Sequence, residues 1–376
     1  MRAFAAIAFL VAACLAQPAP ARQPAELIQP GADAVQPPAL PADAAVADVR
    51  LAPDGRRIAF IATRPGAPAQ VYVAPADQPR AAAGLGPDTH GALEVAWSLA
   101  GDRLIVALPG APESAPNGAR LLRSVALPGA PGESIDLTDA SDRARLQSRA
   151  QRRPDEALVI AESPPGAPPD AWVVDVTTGA RRLAMRNPGA VEGDAVTGYV
   201  ADRDLAVRLL IARAPDGGVR LLRPAPFVFG VMPFEALVGW TPEEAARSRA
   251  IGFDSTGRIL YAIDARPGEP TLVAIDADTG DVATLITAGA PVTGVLRAPS
   301  GVCMGVWTSD PAAPFVAIDR AVEPDMQAIR AFEPGDIRIV NQRADGGAWL
   351  IAYEQAGDAR VWALYDRASR TARRLF

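Results

Sequence analysis

The chain has 376 residues, enough for a large buried core, and 49% of them are hydrophobic, which excludes wholesale disorder. A net charge of −6 with a pI near 5.1 removes the electrostatic basis for nucleic-acid binding. All 37 basic residues are arginine, so Schiff-base chemistry and lysine-cradled phosphates are excluded as well.

The chain opens as an export signal. Arg2 is a short charged start, and the apolar run Ala3 to Ala16 is too short to span a bilayer. Two cleavage readings stand side by side. Ala19-Pro20-Ala21 is an A-x-A site that ends a signal of residues 1–21 and releases a soluble periplasmic or secreted product. Val11-Ala12-Ala13-Cys14 resembles a bacterial lipobox, which removes residues 1–13 and leaves Cys14 as the lipidated residue of an outer-membrane lipoprotein. A lipid on Cys14 is the one membrane contact the sequence suggests. Residues 22–45 are rich in Pro and Ala with little periodicity and read as a partly extended linker, with docking contacts expected through Leu27, Ile28 or Leu40.

From Val46 the pattern changes. Val49 and Leu51 alternate with Arg50, a Pro53-Asp54-Gly55 turn follows, and Ile58 to Ala62 is almost wholly apolar, as a strand buried on both faces should be. Asp-Gly supplies the positive φ of a tight turn. One hairpin is marginal alone, and the chain repeats it. Taking Gly55, Gly101, Asp155, Arg203, Gly257, Gly301 and Gly346 as markers, the steps are 46, 54, 48, 54, 44 and 45 residues. A strand-built period of this length is the signature of a β-propeller with one four-stranded blade per repeat. A second kind of turn falls between the first ones, at Asp175 to Gly179, Asp276 to Gly280 and Asp366 to Arg370, and joins the third and fourth strands of a blade. The expectation is an all-β, seven-bladed propeller over residues 46–376, closed by packing between blades one and seven without a shared strand. Glu323 to Phe332 carries helical periodicity and is expected in place of an outer strand of blade six.

No chemistry stands out. Asp276, Asp278 and Asp281 lack the spacing and downstream Glu of an EF-hand and read as a hairpin. The single histidine, His90, lies in a loop, and no G-x-S-x-G elbow occurs. One His and one cysteine beyond the leader, Cys303, do not build a typical zinc site, and Cys303 reads as a small buried hydrophobe. Six tryptophans, scattered about one per repeat, read as core. No catalytic, cofactor or metal residue is assigned, and no cofactor is expected.

Leu51-Ala52-Pro53-Asp54-Gly55-Arg56-Arg57-Ile58-Ala59-Phe60 resembles the first blade of exported bacterial peptidases of the prolyl oligopeptidase family. So do Asn187-Pro188-Gly189, Asp202-Arg203-Asp204-Leu205, Asp216-Gly217-Gly218, Gly335-Asp336-Ile337, Trp349 to Tyr353 and Leu364 to Ser369. The resemblance implies a seven-bladed propeller that precedes an α/β-hydrolase domain with a Ser-Asp-His triad, caps its active site and admits short peptides. The sequence ends at Phe376, about where that domain is expected to begin, so no catalytic residue of the family carries over. The expectation is a non-catalytic module that binds a peptide or protein, including a separate α/β-hydrolase, in the cell envelope. Two alternatives stay open: a truncated or split exported serine peptidase, and a stand-alone periplasmic scaffold resembling the propeller of the Tol system.

Overall fold

The computed structural model describes residues 39–110, 118–127, 132–226, 232–356 and 360–376. Both cleavage readings, Cys14, Leu27 and Ile28 lie outside the described residues. Leu40 packs against the first core and Ala39 pairs with Ala83, so the end of the Pro- and Ala-rich stretch docks on the first sheet.

Each hairpin expected from the sequence forms. In the first, Ala45–Leu51 pairs antiparallel with Arg57–Thr63. Gly55 turns the chain at φ +75°, which favours glycine, and a Cβ there would lie 2.6 Å from Cδ of Arg343 and displace that side chain. Asp54 Oδ1 accepts the Arg56 N–H at 2.9 Å and fixes the turn. The second kind of turn is built alike. Asp175 Oδ1 accepts N–H groups of Thr177 and Thr178 at 2.8 and 2.9 Å, and Asp276 Oδ1 those of Asp278 and Thr279 at 2.9 and 3.1 Å.

Successive hairpins extend into antiparallel meanders. Their leading strands are Ala45–Leu51, Glu94–Trp97, Arg143–Arg149, Asp194–Ala201, Arg249–Phe253, Val292–Arg297 and Asp336–Gln342. Among the described residues these strands belong to six sheets, because the second and third meanders touch through one parallel pair, Arg120 with Arg143. Two meanders depart from four strands. The fourth gains a two-residue strand, Ala190–Val191. The sixth has three strands and is followed by the helix Glu323–Phe332, whose Met326 and Ile329 fill the next core beside Trp349 and Tyr353.

The second strand of a meander is apolar on both sides because each side meets a different neighbour. Ile58, Phe60 and Ala62 enter the core shared with the seventh meander, whereas Ala59 and Ile61 enter the core shared with the second. Along Ala348–Glu354 the odd positions Trp349, Ile351 and Tyr353 face the sixth meander, and the even positions Ala348, Leu350 and Ala352 face the first. Fully burying such a side chain contributes roughly 1.5–3 kcal/mol.

First and last meanders meet without sharing a strand. Phe376 stays in its own sheet, where the Leu375 N–H donates to Trp362 O at 2.7 Å, and its ring meets Phe60 at 4.9 Å. The Asn341 side chain bridges to the first leading strand: the Leu51 N–H donates to Oδ1 at 3.0 Å, and Nδ2 donates to Leu51 O at 2.7 Å. Replacing Asn341 by alanine leaves both backbone groups without these partners. The Asn341→Ala chain is expected to lose about 1–3 kcal/mol, seen as a lower urea midpoint at unchanged m-value. An unchanged midpoint would show that this bridge contributes nothing.

Candidate functional site

Leading strands end at equivalent places. Leu51, Trp97, Phe253, Arg297 and Gln342 each lie four residues before the turn glycine, at Gly55, Gly101, Gly257, Gly301 and Gly346. Each is the last residue of its leading strand, as is Arg149 in the third meander. Four of these residues, Leu51, Arg149, Arg297 and Gln342, line a cavity of about 510 Å³ where the first, second, third, sixth and seventh meanders converge. Apolar walls come from Leu51, Leu99, Val295 and Ile339.

The polar groups of this layer reach from strand to strand. Trp97 Nε1 donates to Arg50 O at 3.0 Å, and Arg149 Nη1 to Trp97 O at 2.6 Å. Gln147 Nε2 donates to Tyr199 O at 3.2 Å, and Gln342 Nε2 to Arg297 O at 2.7 Å. Arg297 is used more fully: Nε donates to Gly301 O at 2.9 Å, Nη1 to Ile251 O at 3.3 Å and Nη2 to Phe253 O, while its guanidinium lies 5.8 Å from the Tyr261 ring centre. At the turn level Gln151 Nε2 donates to Pro299 O at 2.6 Å and Arg203 Nη1 to Ser300 O at 3.0 Å, tying the third and fourth meanders to the sixth.

The electrostatics are one-sided. No carboxylate lines the cavity among the described residues. Burial, and then the Arg50 charge, push Arg149 below the ordinary guanidinium value; burial does the same to Arg297. Both stay charged, because a guanidinium starts so far above neutrality. Arg50 is itself neutralised by Asp48 at 2.5 Å. Arg149 has no such partner: its one hydrogen bond among the described residues is to a carbonyl. Gln342 Oε1 is buried with no donor facing it.

None of these residues was singled out from the sequence as functional. Cys303 is buried as expected, 4% exposed, and burial pushes its thiol up to about 11, against the opposing pull of Arg297. His90 is exposed, at the end of the short turn Pro87–Thr89, on a different cavity beside Gln70 and Tyr72. Trp97, Trp240, Trp349 and Trp362 are buried, whereas Trp172 and Trp307 are half-buried. Among the described residues no three His, Cys, Asp or Glu side chains converge to hold a metal ion.

The chain is similar to dipeptidyl aminopeptidase BIII of Pseudoxanthomonas mexicana, 28% identical over 342 residues, covering 88% of this chain and 46% of that protein. Its backbone is similar to a Mycobacterium tuberculosis puromycin-hydrolyzing peptidase, with a TM-score of 0.54 and 14% identity, covering 89% of this chain and 53% of that one. The solved β-propeller domain of the Trilobed protease from Pyrococcus furiosus also matches, with a TM-score of 0.49 and 12% identity, covering 89% of this chain and 98% of that domain. No family profile matches. The chain spans about half the length of the curated relative, and the match agrees with the resemblance to the propeller part of prolyl oligopeptidase family peptidases.

The state of Cys303 is open to measurement. In a Cys14→Ser chain, where Cys303 is the single thiol, a disulfide reagent at about pH 8 is expected to leave the native protein untouched and to titrate one thiol after denaturation. Rapid reaction in the native state would show Cys303 to be accessible.

Proposed function

We propose that this chain is a seven-bladed β-propeller, closed by packing between its first and last blades, that serves as the substrate-gating, peptide- or protein-binding module of an envelope peptidase. The chemistry belongs to an α/β-hydrolase part that this chain does not match. The observation that carries the reading is the sequence relation to a dipeptidyl aminopeptidase along 342 residues and 88% of the chain. Two features support it. Cores lie between successive meanders and also between the seventh and the first, as a closed ring requires. A cavity of about 510 Å³ at the ends of the leading strands is within the size range of sites that hold small ligands.

The test has two arms. The purified chain, with a His90→Ala control, is given chromogenic dipeptide and ester substrates. No turnover above buffer is expected, and turnover lost in the control would make His90 catalytic and overturn the non-catalytic reading. The same chain is then titrated with fluorescent peptides of two to eight residues and followed by anisotropy. Saturable binding that falls off with peptide length is expected of a gating module, and its absence at every length would overturn the peptide-binding function.

Export across the inner membrane is the second part of the proposal. Palmitate labelling of the parent and of the Cys14→Ser chain decides the form: label lost in the variant means a lipoprotein anchored through Cys14, and label surviving in it removes the lipobox.

A further inference from the structure

We propose that the cavity bounded by Arg149, Arg297 and Gln342 binds the C-terminal carboxylate of a short peptide with an apolar last residue. The inference rests on the peptide-binding function above and names the part of the ligand that the site recognises.

Charge gives the first argument. Arg149 and Arg297 both face the cavity, and no carboxylate lines it among the described residues. Arg297 is committed through Nε, Nη1 and Nη2 to the carbonyls of Gly301, Ile251 and Phe253. Arg149 makes a single hydrogen bond, from Nη1 to Trp97 O, which holds one side of its guanidinium and leaves further donors. A planar fork held in this way matches the two oxygens of a carboxylate. A carboxylate there would set one negative charge beside two guanidinium groups in a cavity that no carboxylate of the protein lines among the described residues.

The second argument is the orphan acceptor. Gln342 Nε2 is fixed on Arg297 O at 2.7 Å, so its Oε1 is oriented, buried and without a donor. A buried acceptor left unpaired costs about 1–3 kcal/mol. Gln342 lines the cavity, and a small rotation of its amide would bring Oε1 to the cavity surface, where the N–H of the last peptide bond, two bonds from the terminal carboxyl carbon, supplies the missing donor. A free inorganic anion has no such N–H to give.

The third argument concerns the last side chain of the peptide. Leu51, Leu99, Val295 and Ile339 offer an apolar wall beside the charges, suited to the last side chain of the peptide. At the turn level Gln151 and Pro299 join across the cavity lining at 2.6 Å.

The probe is dansyl-Ala-Ala-Leu as the free acid, compared with the same peptide as its C-terminal amide and with dansyl-Ala-Asp-Leu-amide, by fluorescence anisotropy on the whole chain. The free acid is expected to bind at least about tenfold more tightly than either amide. Arg149→Met should cost the acid about tenfold and leave the plain amide unchanged, with Arg149→Lys recovering part of the loss. Gln342→Met should weaken both acid and amide, because both carry the N–H. Should the Arg149→Met chain fail to fold by circular dichroism, the comparison of acid and amides on the parent chain still decides. Equal binding of acid and plain amide overturns this inference and leaves the peptide-binding function standing. Tight binding of the Asp amide overturns the terminal assignment. Binding of none of the three overturns the inference, and the length series above shows separately whether other peptides bind.

Discussion

Everything in this fold depends on what becomes of the free edge of each leading strand. Among the described residues five of the seven leading strands pair on one side only, and the other two, Arg143–Arg149 and Asp194–Ala201, gain only a short pairing on the second side, so backbone N–H and C=O groups along these edges need other partners. Closing these edges with a continuous ladder would make a barrel with no room between sheets. The chain uses side chains instead. Asn341 satisfies both backbone groups of Leu51, Trp97 reaches Arg50 O, Arg149 reaches Trp97 O, and Gln342 reaches Arg297 O. Each bond joins one meander to the next through a side chain and adds no backbone ladder between them. The apolar cores outside this layer then pack independently, face by face, which is why the second strands must be apolar on both sides.

The candidate site is a by-product of that solution. A long side chain that reaches the neighbouring carbonyl with one nitrogen has others to spare, and in an arginine those are charged donors. Arg297 spends its donors on the fifth meander and its own turn, so it is chiefly structural. Arg149 spends one. The two residues look alike in sequence and differ in how much of the guanidinium is left for a ligand. Burying a charge without a counter-ion is unfavourable, and sites kept for binding often carry such a local cost.

Much of the architecture was legible because its causes are local. Turn geometry requires Gly55, Gly101 and Gly257, and the strands between turns are patterned by burial on both faces, so the repeat and its hairpins follow from the letters. The helix at Glu323–Phe332 was also readable, since Met326 and Ile329 keep its period. The extra strand Ala190–Val191 was not, because two residues carry no period. The site was illegible for a different reason. Leu51, Trp97 and Phe253 occupy the position four before the turn glycine in three repeats, where Arg297 and Gln342 stand in two others. Aligning the repeats on their turns would have exposed that polar exchange. Arg149 escapes even this comparison, since the third turn has no glycine and Gln151 is the residue four before Asp155. What a side chain at that position faces depends on meanders more than a hundred residues away.

The composition of the chain sharpens the meaning of a carboxylate-free cavity. The protein carries 43 acidic residues against 37 basic ones, so an acid is the commoner charged side chain. Elsewhere the acids find arginines freely: Asp264 with Arg266 at 2.6 Å, Asp194 with Arg220 at 2.6 Å, Asp325 with Arg367 at 2.8 Å. Arg149 and Arg297 therefore do not lack partners for want of carboxylates. They lack them because the layer that holds the meanders together is made of carbonyls, which accept from a guanidinium without cancelling its charge. Two guanidinium groups thus line a cavity without a carboxylate among the described residues while the whole molecule stays acidic, and low-dielectric walls focus such a field. An anionic group entering the cavity would exchange water for two guanidinium groups already held in place, with little reorganisation left to do.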